Sequence, residues 1–267
     1  MKETYDDLKI SNDFMFAKVM RNKRLCKKLL EVILGIEIEK IEYPEEQKTI
    51  DLSMDARSIR LDVYVKDDKE TVYNVEMQTI NTRNLPKRSR YYQGMIDLNL
   101  IEKGEDFNKL NKSYVIFICL EDIFKEGRCV YLFENLCVQD TSIHLNDETI
   151  KVFLNPQGII ENVDEELANF LKYLAEGKPV DCFTKQLEEE VAKAKENEEW
   201  RREYMTLMMR DREKYEEGHE AGFTEGEALL GNLMSRLIAD GRIEDVELAA
   251  TDKDARKRLY KEYGLMQ

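Results

Sequence analysis

The segment IRLDVYVKDDKETVYNVEMQT, residues 59–79, decides the fold. Apolar and polar residues alternate in both of its halves, around Val63 in the first and Val75 in the second. Alternation with a period of two predicts β-strands. The charged residues 67–70 lie between the two halves and predict a loop. We therefore expect a hairpin in which each strand buries one row of side chains and exposes the other.

One pairing of the strands brings the two apolar rows to the same face. In that pairing Val63 lies opposite Val75, and Leu61 lies opposite Met77. A half-buried hairpin requires this register, because a shift by one residue would turn one apolar row towards water.

The same register brings two acidic side chains together. Asp62 lies directly opposite Glu76, and Gln78 follows on the same face. Opposed Cβ atoms are about 4.5–5.5 Å apart, so the carboxylates repel each other unless a cation or a shared proton relieves them. A pair with only oxygen ligands suits a hard divalent ion such as Mg²⁺. The alternative is a solvated, inert acidic pair on an exposed sheet face.

Four short motifs in this order resemble the PD-(D/E)XK nuclease superfamily, and within it the recombination-promoting nuclease and transposase group. They are NDFMF at residues 12–16, LDV at 61–63, EMQ at 76–78 and RSRYY at 88–92. The resemblance implies an α/β fold of the restriction-endonuclease type, with a mixed sheet flanked by helices. It also implies metal-dependent hydrolysis of phosphodiester bonds in DNA. The likeness covers the first half of the chain strongly and the glycine-spaced tail more weakly.

The resemblance further implies roles for individual residues. Asp62, Glu76 and the main-chain carbonyl of Met77 would bind Mg²⁺, with Mn²⁺ or Ca²⁺ as alternatives. Asp13, at the start of the first helix, is a secondary catalytic candidate that by itself is better explained as part of a helix cap. Gln78, also a catalytic candidate, stands where the superfamily has a lysine, and a glutamine forms hydrogen bonds but carries no charge.

A helix with a basic first turn is predicted to follow, from about residue 87 to residue 102. Six residues at its start are predicted to contact DNA: Lys87, Arg88, Arg90, Tyr91, Tyr92 and Gln93. Basic residues bind phosphates and aromatic rings stack on bases, and one of the basic residues can supply the charge that Gln78 lacks. The alternative is that one tyrosine packs in the core and the arginines are merely solvated.

The whole chain is acidic, with a net charge of −14 at pH 7, which disfavours a nucleic-acid partner. The basic residues are nevertheless concentrated. Residues 14–30 contain six Lys or Arg and no acid, and residues 77–96 contain four and no acid. Local charge governs phosphate binding, so both segments are compatible with DNA.

The histidines and cysteines exclude several classes of site. There are two histidines, His144 and His219, and five cysteines without a C-x-x-C pair. This argues against histidine-ligated zinc and against Ser–His or Cys–His catalysis. Scattered cysteines indicate reduced thiols, and we find neither a signal peptide nor an apolar run of membrane-spanning length. We therefore expect a cytoplasmic protein with no membrane partner.

The nuclease-like domain is placed at residues 1–157. A helix is expected from about residue 13 to residue 35, capped by Asn12 or Ser11. Strands in addition to the hairpin are expected at residues 36–43, 114–120, 130–133, 138–145 and 149–153. The run YVIFICL at 114–120 is apolar throughout, which predicts a strand buried on both faces.

The second region, residues 158–267, is predicted to be helical. Its first helix lies between Asp164 and Gly177. A long charged helix from about 181 to 212 has apolar residues too sparse for a buried core helix, and a small helical unit ends the chain. Glycines recur at every fourth position in between: Gly218, Gly222 and Gly226. This segment predicts either a helix-pairing surface or a linker, and we expect the C-terminal helices to form a homodimer.

Three functions remain open from the sequence. The first is a Mg²⁺-dependent DNA endonuclease acting in recombination or in the transposition of mobile elements. The second is a catalytically weak or inactive nuclease-like protein that binds nucleic acid. The third is an assembly protein whose C-terminal helices form oligomers.

Overall fold

The computed structural model of the chain describes five ranges: residues 4–43, 49–50, 59–60, 62–79 and 83–266. The chain forms two compact units, Met1–Arg201 and Arg202–Gln267. The predicted domain boundary after residue 157 therefore falls inside the first unit. The reason is that two helices beyond this boundary pack on the helices of the N-terminal part.

A mixed six-stranded sheet forms the centre of the first unit. The strands of this unit are β1 (Ile41–Glu42), β2 (Thr49–Ile50), β3 (Ile59–Arg60), β4 (Val63–Asp67), β5 (Val72–Gln78), β6 (Ser113–Cys119), β7 (Val130–Phe133) and β8 (Thr149–Leu154). The sheet has the order β1-β4-β5-β6-β8-β7, and β2 pairs with β3 separately. β6 is parallel to β5 and to β8, and the other pairs are antiparallel. The predicted mixed α/β class is confirmed.

The hairpin of β4 and β5 has the predicted register. Val63 pairs with Val75, and the pairing continues in step towards the turn. The other predicted pair joined Met77 to Leu61, which lies outside the described residues. Because the register at Val63 is fixed, the preceding residue, Asp62, comes to lie beside β5 near Glu76.

The turn of the hairpin is fixed by Asp67, which the sequence placed in the loop. Asp67 is the last residue of β4 and is buried. Its carboxylate accepts hydrogen bonds from the backbone N–H groups of Lys69 and Thr71 and from the Tyr73 hydroxyl. These contacts hold both ends of the turn to one side chain and so help to set the register of the strands.

The expectation that each hairpin strand exposes one row of side chains is wrong for β5. Asn74 and Glu76, on the row expected to face water, are as buried as Val75 on the other row. β5 lies inside the sheet between β4 and β6. Helix α3 (Leu85–Leu100) covers the row that contains the acids, and α1 (Asp13–Val19) also packs against β5.

The single helix predicted from residue 13 to residue 35 is two helices, α1 and α2 (Lys23–Leu34). Asn12 caps α1 as predicted, since its side chain accepts a hydrogen bond from the Met15 N–H. Asn22 caps α2 in the same way, and this cap separates the two helices. An asparagine side chain competes with helical backbone bonds, so it begins a new helix here.

Two strand predictions need correction. The first strand, predicted at 36–43, contains only Ile41–Glu42. Residues 138–145 form no strand, although Leu136 and His144 form an isolated bridge. Positive φ angles at Asn146 and Glu148 break the extended path that a strand before β8 would need. β6 is buried along its whole length, as predicted.

Helices α4 (Glu165–Glu176) and α5 (Cys182–Glu196) complete the core of the first unit. The prediction that the charged helix is too sparse in apolar residues for the core is wrong for α5. Four of its apolar residues are buried at helical spacing: Phe183, Leu187, Val191 and Ala194. This stripe packs against α1, α2 and α4. The helix ends at Asn197, whose side chain caps the next one by accepting from the Trp200 N–H.

The second unit is helical, as predicted. α6 (Glu198–Ala239) begins in the first unit and runs through the glycine-spaced segment, which is therefore helix and not a linker. α7 (Ile243–Thr251) and α8 (Lys253–Glu262) follow. A small core joins the three helices: Leu233, Leu237, Ala249, Leu259 and Tyr260. None of the helices in the described parts of the chain has the length and apolar character needed to cross a membrane.

Candidate active site

Two carboxylates lie side by side where β4 begins and β5 ends. The Asp62 N–H donates a hydrogen bond to Glu76 Oε1 at 3.2 Å, and the Met77 N–H donates to Asp62 Oδ2 at 3.1 Å. Each carboxylate is thus held by the backbone of the opposite strand. The structure brings these two predicted site residues together.

Glu76 is almost completely buried, at 2% exposed. Burial raises the pKa of its carboxyl well above 4.5, and the nearby charge of Asp62 raises this pKa further. The Asp62 N–H and the Arg88 guanidinium act in the opposite direction but do not cancel the rise. The pair therefore favours either a proton or a metal cation between its oxygens.

Arg88, on the first turns of α3, points towards the same place. Its guanidinium donates from Nη1 to Gln78 Oε1 and from Nη2 to the Tyr92 hydroxyl, both at 2.7 Å. Nη2 is also 3.9 Å from Glu76 Oε2. The guanidinium lies 5.3 Å from the Tyr92 ring centroid, in cation–π contact. Of the basic residues considered for the missing charge, Arg88 is the one that contacts Gln78.

Gln78 connects this arginine to the main chain of the site. Its Nε2 donates to the Met77 carbonyl at 3.0 Å while its Oε1 accepts from Arg88. The Gln78 carbonyl accepts from the Leu120 N–H, just beyond β6. Because main-chain groups alternate in direction along a strand, the Met77 carbonyl faces the other side, towards Asp62.

The donor set fits a hard divalent cation. Asp62, Glu76 and the Met77 carbonyl offer only oxygen, and the two carboxylates carry charge that the protein does not fully balance. Within the described residues, no three His, Cys, Asp or Glu side chains form a metal cluster. Asp13 therefore does not join the pair as a third acidic ligand. It is exposed, and its Oδ1 accepts from the Phe14 N–H. Two carboxylates completed by waters and a substrate phosphate are typical of Mg²⁺.

The six residues predicted to contact DNA differ in how far they are exposed to solvent. Lys87, Arg90 and Tyr91 are exposed on the first turns of α3. Tyr92 is buried beneath Arg88. Gln93 is buried too, and its Nε2 donates to a serine of β6 and an aspartate of α3. Neither side chain can reach DNA unless α3 moves, because both are buried between this helix and the sheet.

The first basic segment is largely engaged within the protein. Lys18 is buried, and its ammonium lies 5.0 Å from the Phe14 ring centroid and 5.6 Å from that of Trp200. Lys27 and Lys28 form ion pairs with glutamates of α2 and α4. Lys23 adds a cation–π contact, 5.9 Å from the Tyr43 ring centroid, so most of the six positive charges in this segment have internal partners.

Asn74 is a site residue that the alternating pattern does not single out. It precedes Glu76 by two residues on β5, so both side chains lie on the same face. It is fully buried. The sequence does contain one indication of its role: Asn74 is a polar residue in the middle of a strand, in the same row of side chains as Glu76.

One comparison with known proteins gives a match. A family model described as a PD-(D/E)XK nuclease family transposase matches residues 10–229, well over half of the chain. The match includes every site residue described above. No curated protein and no solved structure matches the chain.

We predict that Glu76→Gln stabilises the metal-free protein at alkaline pH. Because folding raises the Glu76 pKa above 4.5, the folded chain keeps a proton that the unfolded chain releases as the pH rises past that value. Metal-free wild type therefore loses stability as the pH rises from 4.5 towards the raised pKa. The glutamine variant has no such loss. In thermal unfolding in EDTA at pH 8, Glu76→Gln should melt at a higher temperature than wild type. The shift should be about 2–4 °C for each kcal/mol of unfolding free energy gained by removing the repulsion.

The matched control is Glu121→Gln, which neutralises an exposed glutamate just after β6. Its melting temperature should stay close to that of wild type in EDTA and in Mg²⁺. A melting temperature of Glu76→Gln below that of wild type in EDTA would contradict an unbalanced carboxylate pair.

Proposed function

The chain belongs to the PD-(D/E)XK nuclease family transposases, and from this premise we propose that it is a divalent-metal-dependent DNA endonuclease. The proposed reaction is hydrolysis of phosphodiester bonds during DNA recombination or the transposition of mobile elements. The observation that carries the proposal is the close pair of the partly exposed Asp62 and the buried Glu76, with Arg88 beside it.

The proposed cofactor is Mg²⁺, with Mn²⁺ or Ca²⁺ as alternative ions for the same site. Asp62, Glu76 and the Met77 carbonyl would hold the ion. A bound ion would supply Lewis-acid chemistry, polarising the scissile phosphate and lowering the pKa of a water. The backbone N–H groups of Asp62 and Met77 keep one oxygen of each carboxylate fixed, which orients both side chains.

Arg88 takes over the charge of the missing lysine in this proposal. An arginine is a permanent cation in proteins and does not act as a general base, so the role of Arg88 is electrostatic. Its guanidinium can stabilise the negative charge that develops on the phosphate. Gln78 and Tyr92 hold the guanidinium by hydrogen bonds, which lowers the entropy lost when it engages the substrate.

DNA is proposed to lie along the exposed first turns of α3. Lys87 and Arg90 would bind backbone phosphates there, and Tyr91 would stack on a base or pack against a sugar. Their charge is local, which explains how a chain with a net charge of −14 can bind a polyanion.

A nuclease-like protein that binds DNA without cutting it is the second candidate. The observation in its favour is Gln78, since a glutamine replaces the lysine of the superfamily pattern. The two candidates differ in one measurable property. Only the enzyme nicks plasmid DNA in the presence of a divalent ion.

A homodimer through the C-terminal helices is also part of the proposal. α6 exposes several large apolar residues along its length: Met205, Met208, Met209, Tyr215 and Phe223. An exposed series of this kind is typical of a protein–protein contact. Two copies joined there would carry two nuclease sites, enough to cut both strands of a duplex.

The catalytic assignment predicts the loss of plasmid nicking in two variants. Asp62→Asn keeps the acceptor for the Met77 N–H but removes the charge that holds the ion, so no cleavage is expected in Mg²⁺ or Mn²⁺. Arg88→Gln should slow cleavage by about 10²–10³-fold, the usual cost of one stabilising donor. Arg90→Gln is the control and should leave the rate at saturating DNA unchanged. Wild-type cleavage by Asp62→Asn would contradict the assignment.

The DNA-contact assignment predicts a change in salt dependence. Replacing Lys87 and Arg90 by glutamine should weaken binding to every DNA sequence. It should also flatten the slope of log K against log salt by about 0.9 for each lost phosphate contact. Lys172 and Lys178, exposed on and beyond α4, give a double glutamine control with the same change in charge. An equal slope in both double variants would exclude α3 as the phosphate-binding surface.

The dimer predicts a molecular mass. Light scattering of the full chain at micromolar concentrations should give twice the monomer mass, and Met205→Glu with Met208→Glu should give the monomer mass. Because both side chains are exposed, the variant should keep its circular dichroism spectrum. A monomer mass for the wild-type chain would remove the dimer from the proposal.

A further inference from the structure

Asn74 occupies the middle of β5, directly opposite Tyr64 on β4 and Val115 on β6. It is 0% exposed. The surrounding face of the sheet is covered by an apolar cluster that includes Val72 and Val115. An apolar, β-branched side chain would fit such a position well, since it needs no hydrogen-bond partner.

Neither polar atom of the Asn74 side chain has a hydrogen-bond partner. Two other described side chains, Gln93 and Asp181, each leave one buried atom unpaired but bond through another. Gln93 donates from Nε2, and Asp181 accepts through Oδ1. Burying an amide without any partner is unfavourable, so it needs an explanation beyond packing.

The Asn74 amide lies next to the acidic pair. It shares the face of β5 with Glu76, and it is close enough to lower the pKa of the Glu76 carboxyl. This contact is polar, but it falls short of full hydrogen-bond geometry, so neither atom of the amide has a well-formed hydrogen bond. A small shift of the Glu76 carboxylate is therefore enough to bring its oxygen within reach of Asn74 Nδ2.

We infer that Asn74 is a positioning residue of the metal site, whose amide completes its hydrogen bond to Glu76 and holds that carboxylate in its ligand orientation when a divalent ion is bound. The inference rests on the proposed function, because it requires that Asp62 and Glu76 hold such an ion. Groups behind metal ligands commonly orient them in this way, and their loss weakens metal affinity about 10–100-fold.

Two variants of Asn74 test this role without relying on catalysis. Asn74→Leu replaces the amide by apolar atoms, and Asn74→Ala removes it with no risk of overpacking. Isothermal titration of the DNA-free protein with Mn²⁺ should show the dissociation constant rise about 10–100-fold in both. In EDTA, Asn74→Leu should melt at or above the wild-type temperature, because no well-formed hydrogen bond is lost.

Asn155→Leu is the matched control, since Asn155 is another buried asparagine but has both polar atoms bonded. It should lower the melting temperature and leave the Mn²⁺ affinity unchanged. Wild-type Mn²⁺ affinity in both Asn74 variants would overturn the inference while leaving the metal site intact. A loss of stability in EDTA for Asn74→Leu, equal to that of Asn155→Leu, would also overturn it. A wild-type chain that binds no Mn²⁺ overturns the metal site itself and the inference with it.

Discussion

The repulsion between Asp62 and Glu76 is the constraint on which the rest of the site depends. The register of β4 and β5 forces the two carboxylates together, and the burial of Glu76 limits how far water can screen their charge. A chain selected for stability alone would place an apolar pair there. Three kinds of neighbouring group stabilise the negative charge of the carboxylates: the backbone N–H donors, the guanidinium of Arg88 and the amide of Asn74.

The position of β5 inside the sheet explains how the protein can hold such a pair. β5 is fixed by β4 on one edge and by β6 on the other, so the strand cannot move apart to relieve the repulsion. α3 packs across this face through residues such as Tyr92 and Ile96 and brings Arg88 to the acids. The fold therefore stores an electrostatic cost at one place, which is how functional sites commonly differ from the rest of a protein.

Much of this arrangement could be predicted from the sequence, because it depends on local patterns. The alternation around Val63 and Val75 determines the hairpin register, and an apolar run determines β6. Burial of β5 on both faces could not be predicted, since it depends on which strands and helices come to lie beside it. The burial of α5 could not be predicted for the same reason: its apolar residues are few, and they are buried because α1 and α4 pack against them. Arg88 was one of three basic candidates, and the geometry of α3 selected it.

Anomalous diffraction from crystals grown with Mn²⁺ and a short DNA duplex tests whether Asp62 and Glu76 together hold a metal ion. We predict one strong anomalous peak per chain, at about 2 Å from a carboxylate oxygen of Asp62 and from one of Glu76. Arg88 should then face a DNA phosphate. Peaks that avoid both carboxylates, in crystals that hold Mn²⁺ elsewhere, would contradict the account.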